Sequence, residues 1–285
     1  MRKLKRIVAA VDIYSKSNNV LKRALMIARD NKAHLYIVHI VETPWLSLPD
    51  YFGGEEISID TKALQKKLLK KVKVFNRTNE VHCTVFVKVG SVVDTLLYEA
   101  NLLKSDMLII GANTKKQNNA LGTSAEKLVY QSNLTVLVVR NTVKKSYKKI
   151  IAPTDFQVQS IRSINFAKNV FPKASISMVH SPEIIYYMED TYMLTGYSMA
   201  QLNDNTKENA RKSMKTLLKE LSLQKGKVID NDFDTKKALL DYIKNGAYDL
   251  TVVGFKNFEG FASLLGSVSS TILRKAKTDV LIYVT

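Results

Sequence analysis

Residues 106–139, DMLIIGANTKKQNNALGTSAEKLVYQSNLTVLVV, decide how the rest of the chain is read. An apolar run ends in Gly111, a polar loop follows, Gly122-Thr123 opens an amphipathic helix, and a second apolar run closes the unit. A strand that stops at a glycine and loops to a glycine-hydroxyl helix start can turn backbone N–H groups and a positive helix end toward an anion. The same glycines also serve turn geometry alone, so one copy of the pattern does not decide between phosphate cradle and turn.

The pattern is written twice. Residues 249–284, DLTVVGFKNFEGFASLLGSVSSTILRKAKTDVLIYV, keep the order of strand, Gly254, loop, Gly266-Ser267, helix and strand. Asp106 and Asp249, like Gly111 and Gly254, stand 143 positions apart, which points to duplication of a whole domain rather than a solenoid. At 285 residues, two domains of ordinary size are expected, over residues 1–141 and 147–285, with a short polar linker between them.

Working back through the first copy, RIVAAV (6–11) reads as a buried strand ending at Asp12, then an amphipathic helix, then the strand HLYIVHIV (34–41). A lysine-faced helix over 58–78, a strand over 81–87 and a helix after Gly90 complete a βαβαβαβαβ order. Right-handed crossovers then make a doubly wound α/β domain with a five-stranded parallel sheet. The second copy restarts at KIIAP (149–153) with Asp155. It continues with a helix over 161–171, SISMVH (175–180), a helix over 199–223, a strand in KVIDNDF (227–233) and a helix over 236–246.

Because each first strand ends at the carboxyl edge of its sheet, Asp12 and Asp155 are placed to accept hydrogen bonds from a ribose or base. Closing a loop or capping a helix would use the same residue type at the same place. His39 and His180 end the second strands without a second ligand at metal spacing, and are expected to be packed or hydrogen-bonded. Two long connections, 42–58 and 181–198, carry aromatic and methionine side chains suited to a lid, an apolar ligand or a partner.

The net charge of +17 divides as +10 through Val143 and +7 after it, so no basic tail is present. Lys62, Lys66, Lys67, Lys70, Lys71 and Lys73 interleave with apolar residues at helical spacing, as in a solvated lysine face, and no nucleic-acid motif accompanies them. Nucleic acid is therefore not the expected partner. The apolar runs are too short for a membrane span, and the basic-apolar start lacks the features of a signal peptide. A single cysteine, Cys83, expected to be a buried inert thiol, fits a reducing cytoplasm.

Each half thus has Asp after its first strand, His closing its second and Gly…Gly-Ser/Thr before its last helix. Carried by VAAVD, VHIV, DMLIIG and GTSAEKL, then IAPTD, MVH, DLTVVG and GSVSSTILRKA, the chain resembles tandem universal stress proteins along nearly its whole length. The resemblance implies two adenine nucleotide alpha hydrolase-like, flavodoxin-like layered domains forming an intramolecular pseudo-dimer, with a homodimer also open. It implies a cytoplasmic stress-response role in which ATP or another adenine nucleotide is held by a loop of the form G-x2-G-x9-G-S/T.

Carried over residue by residue, the first site is Asp12, Gly111, Gly122, Thr123 and Ser124. The second is Asp155, Gly254, Asn257, Gly266, Ser267 and Val268. Both depart from the pattern. The second glycine is Thr114 in one copy and Asn257 in the other, and the loops are two residues and one residue short. A non-catalytic nucleotide binder leads. A pair of degenerate domains holding a small apolar ligand or a protein partner follows, and a weak ATP hydrolase comes third, because Glu259 is the only Asp, Glu or His in either loop and no Walker motif is present.

Overall fold

A computed structural model describes residues 3–15, 18–42, 59–112, 121–184, 199–231, 234–255 and 266–284. The chain divides into two compact units, Met1–Ser146 and Tyr147–Thr285. In the first, β1 (Arg6–Ala10), α1 (Asn19–Asn31), β2 (His34–Val41), α2 (Thr61–Phe75), β3 (Cys83–Val89), α3 (Val92–Leu102), β4 (Met107–Gly111), α4 (Thr123–Gln131) and β5 (Thr135–Val139) alternate. In the second, β6 (Lys149–Pro153), α5 (Val158–Val170), β7 (Ser175–His180), α6 (Met199–Glu220), β8 (Lys225–Val228), α7 (Thr235–Asn245), β9 (Leu250–Phe255), α8 (Ser267–Lys275) and β10 (Asp279–Val284) repeat that order.

Each unit holds five parallel strands, ordered β3-β2-β1-β4-β5 in the first and β8-β7-β6-β9-β10 in the second. Continuous apolar runs suit the central strands because helices cover both faces of a doubly wound sheet. Ile7, Val8 and Leu108 are fully buried, as are Ile150, Ile151 and Leu250. On α1, Leu21, Ala24, Leu25 and Ala28 recur at helical spacing and are buried against the sheet.

One tie is repeated atom for atom. Asp106 Oδ2 accepts the N–H groups of Lys5 and Arg6 at 2.8 and 2.9 Å. Asp249 Oδ2 accepts those of Lys148 and Lys149 at the same two distances. Duplication is thus visible in side-chain bonding as well as in topology.

Four sequence expectations shift. The third strand begins at Cys83 rather than Val81, because Val81 exchanges its backbone bonds with the Asn76 side chain (2.9 and 3.4 Å) instead of a neighbouring strand. Helix α5 starts at Val158, three residues before the expected 161, because its first turn carries no buried apolar residue before Ile164. The strand expected in 227–233 is β8, Lys225–Val228, because Lys225 and Gly226 already pair with Ser177 and Met178. Beyond it Asn231 instead donates to Ser181 Oγ and the Pro182 carbonyl. The linker is not uniformly solvated either: Tyr147 is buried, its hydroxyl donating to Asp279 Oδ2 at 2.6 Å with its ring edge-on to Phe171.

Candidate functional site

In each unit the chain leaves two adjacent central strands in opposite directions, β1 beside β4 and β6 beside β9. A crevice opens at such a switch point, beyond the carboxyl ends of the strands. Register levels the motif residues across it. Ala9 faces Ile109, which sets Val11 level with Gly111, and Ile151 faces Thr251, which sets Thr154 level with Gly254. Asp12 and Asp155 therefore each lie one step beyond their glycine.

Both aspartates are exposed, and both close their own turn. Asp12 Oδ1 accepts from the Tyr14 N–H at 2.9 Å, and Asp155 Oδ1 from the Gln157 N–H at 3.0 Å, the side chain mimicking a backbone turn. Neither caps a helix, since α1 starts from Asn18 and α5 from Gln157, without a side-chain cap. The second carboxylate oxygen of each has no hydrogen-bond partner among the described residues, which leaves it available to a ligand hydroxyl.

His39, two residues before the end of β2, and His180, the last residue of β7, hold these turns. His39 Nδ1 lies 3.1 Å from the Val11 carbonyl and His180 Nδ1 2.7 Å from the Thr154 carbonyl. A carbonyl only accepts, so Nδ1 carries the proton in His180, whereas His39 Nδ1 faces both the Val11 carbonyl and, at 3.5 Å, the Ile13 N–H. Burial pulls both histidines below their ordinary range, against the opposing pull of that backbone bond and of Asp12 or Asp155. His39 Nε2 is enclosed and has no partner among the described residues. Beside Asp155, Phe156 adopts a left-handed backbone (φ 63°) unusual for its type. Its N–H donates to Thr154 Oγ1 at 3.0 Å and its ring sits 4.5 Å from that of His180.

The facing wall is a helix start. Gly122 and Gly266 precede α4 and α8 in extended conformation, with no side chain capping either helix. The first-turn N–H groups, at Thr123 and Ser124 and at Ser267 and Val268, thus end each helix at its positive pole. Gly122 N–H donates to the Ala112 carbonyl at 2.9 Å, which draws the helix start to the end of β4 next to Gly111.

The glycines have different reasons. A Cβ on Gly254 would meet the Gln159 carbonyl oxygen at 2.4 Å and its carbon at 2.6 Å, so helix α5 lies directly on this residue. On Gly111 it would meet Val20 Cγ2 at 3.2 Å. On Gly266 it would meet nothing within 4 Å among the described residues. Asn257 and Thr114 lie outside the described residues, as do most of the aromatic connections.

Among the described residues no group of three or more His, Cys, Asp or Glu could hold a metal ion, and no helix is long and apolar enough to cross a membrane. Cys83 is half-buried, and burial pushes its thiol up to about 11.

A profile of the universal stress protein family matches residues 3–140 and again 146–283. The chain belongs to the universal stress protein family. A universal stress protein of Methanocaldococcus jannaschii is 28% identical over 144 residues, covering 50% of this chain and 85% of that protein. Solved structures agree in fold. A protein of Pseudomonas aeruginosa superposes with a TM-score of 0.75 at 15% identity, covering 99% of this chain and 92% of its own. A universal stress protein of Archaeoglobus fulgidus gives 0.68 at 15% identity, with 99% of both chains covered. In this universal stress protein both repeats retain the exposed aspartate, the strand-ending histidine and the glycine-led helix.

Proposed function

We propose that this is a non-catalytic cytoplasmic stress-response protein that binds an adenine nucleotide as a regulatory ligand at the switch point of at least one repeat. The observation that carries the reading is the pairing, across one crevice, of an exposed carboxylate with an unused oxygen and an uncapped helix start led by a glycine. Asp12 or Asp155 would accept from ribose hydroxyls. The N–H groups and hydroxyls of Thr123 and Ser124, or of Ser267 with the Val268 N–H, would take phosphate oxygens. Gly266, which no described residue crowds on its Cβ side, supports close approach of a ligand in the second repeat. The non-catalytic part rests on the sequence of the two loops, whose only Asp, Glu or His is Glu259.

Melting with and without ATP tests it. A ligand bound only by the native state adds about 2.7 kcal/mol at a hundred times its dissociation constant, and the stabilisation should shrink with Asp12→Asn or Asp155→Asn and vanish with both. An unchanged melting curve, together with no nucleotide in acid extracts of the purified protein, would sink the reading.

A further inference from the structure

Five of the six lysines of α2 are a solvated face, and Lys71 is different. Half-buried, it directs Nζ at the carbonyl oxygens of Asp12, Ile13 and Ser15, at 3.5, 3.3 and 3.2 Å. An ammonium has three donors and no acceptor, so this turn uses all of them. Three carbonyls converging on one point repel one another unless a cation sits there. Inside the same turn Ser15 N–H donates to the Asp12 carbonyl (3.3 Å) and Tyr14 N–H to the Asp12 carboxylate (2.9 Å). The loop bearing Asp12 is thus held from within by its own bonds and from without by a helix 56 to 59 residues away.

The second repeat solves the same problem without charge. Thr154 Oγ1 accepts from the Phe156 N–H and lies 3.0 Å from Ser160 Oγ, and that hydroxyl donates to the Gln157 carbonyl at 2.9 Å.

Building on the nucleotide reading, we propose that Lys71 is a positioning residue for the first site: its ammonium gathers the three carbonyls and so aims the Asp12 carboxylate into the crevice. Ligand binding by the first repeat then depends on a lysine charge, and binding by the second does not. The charged and titratable groups around Lys71 are Asp12 on the turn, Lys67 on its own helix and His39 from β2, with Tyr14 beneath the Lys67 ammonium. Burial pulls Lys71 below its ordinary range, Lys67 adds to this and Asp12 opposes it. The clamp should therefore release at a milder alkaline pH than a free lysine would lose its proton.

Amide hydrogen exchange on the full, ligand-free chain tests the clamp, and ATP titration in the Asp155→Asn background tests the aiming. For Lys71→Met, protection of the Tyr14 and Ser15 amides should fall at least tenfold while β1 amides keep theirs. ATP affinity should fall about tenfold, and Lys71→Arg should restore both and abolish the loss of protection at alkaline pH seen in the wild type. Unchanged protection in Lys71→Met overturns the proposal. So does lost protection with unchanged affinity, which would make the clamp structural only. If the wild type binds no ATP but the exchange result holds, the nucleotide reading and the aiming role fail together and the clamp stands. If Lys71→Met lowers the melting temperature broadly, Lys71→Gln and Lys71→Arg carry the same comparison.

Discussion

His180 Nδ1 stands 2.7 Å from the carbonyl oxygen of Thr154, the residue just before Asp155. His39 repeats this with Val11, just before Asp12, at 3.1 Å. In both copies a neutral imidazole fastens the end of one strand to the turn at the end of its neighbour.

Those rings make stability depend on pH. Burial depresses His39 and His180 in the folded chain, and His34 is depressed by burial and by His82. A histidine depressed on folding contributes its stability fully above the unfolded value of about 6.5 and loses it as pH falls, because the unfolded chain takes up the proton first. The melting temperature should therefore drop between about pH 7 and pH 5. His180→Asn, whose amide can donate to the Thr154 carbonyl in place of Nδ1, should flatten that slope; a slope unchanged in the His39→Asn, His180→Asn double variant would contradict the assignment.

Gly254→Ala and Gly266→Ala should behave oppositely. The first forces a Cβ into the Gln159 backbone and should cost on the order of 1–3 kcal/mol, as overpacking does, read from urea unfolding. The second meets no described residue, at φ −52°, which alanine adopts without strain, and should leave stability within about 0.5 kcal/mol. If a nucleotide approaches Gly266, the second substitution should nonetheless reduce stabilisation by ATP.

Lys88 Nζ reaches Glu99 Oε1 at 2.6 Å, and Glu99 is 4% exposed while the lysine side chain is 40% exposed. Lys88→Met strands a buried carboxylate and should destabilise the first unit by about 1–3 kcal/mol, below the full range for buried pairs because water reaches the lysine. Adding Glu99→Gln should recover much of the loss in denaturant unfolding.

Cys83 should react slowly. With the thiol raised from 9.0 to about 11, its thiolate is about a hundredfold scarcer at pH 8 than in an unfolded chain, and only the thiolate attacks. Timed labelling with a thiol reagent, native against urea-unfolded, should show a difference of that order.

Much of this was legible in the sequence. Strands β2, β6 and β7 fall on the residues the apolar runs mark, because helices cover both faces of the sheet and bury those runs continuously. Val81 misled because alternation records which side chains are buried and not where backbone bonds go, and those go to Asn76. At the site, a strand-ending aspartate was readable from position alone. Lys71 was not, since in a run of lysines nothing local distinguishes the one that turns inward toward carbonyls more than fifty residues away.

Asp106 and Asp249 tie the first residues of neighbouring strands together, at the edge of each sheet farthest from the crevice. Strands stapled at that edge keep their register there, and the opposite edge is given over to the turns and helix starts that would meet a ligand. Each repeat is therefore built like a book bound along its spine, with any guest received at the edge opposite the binding.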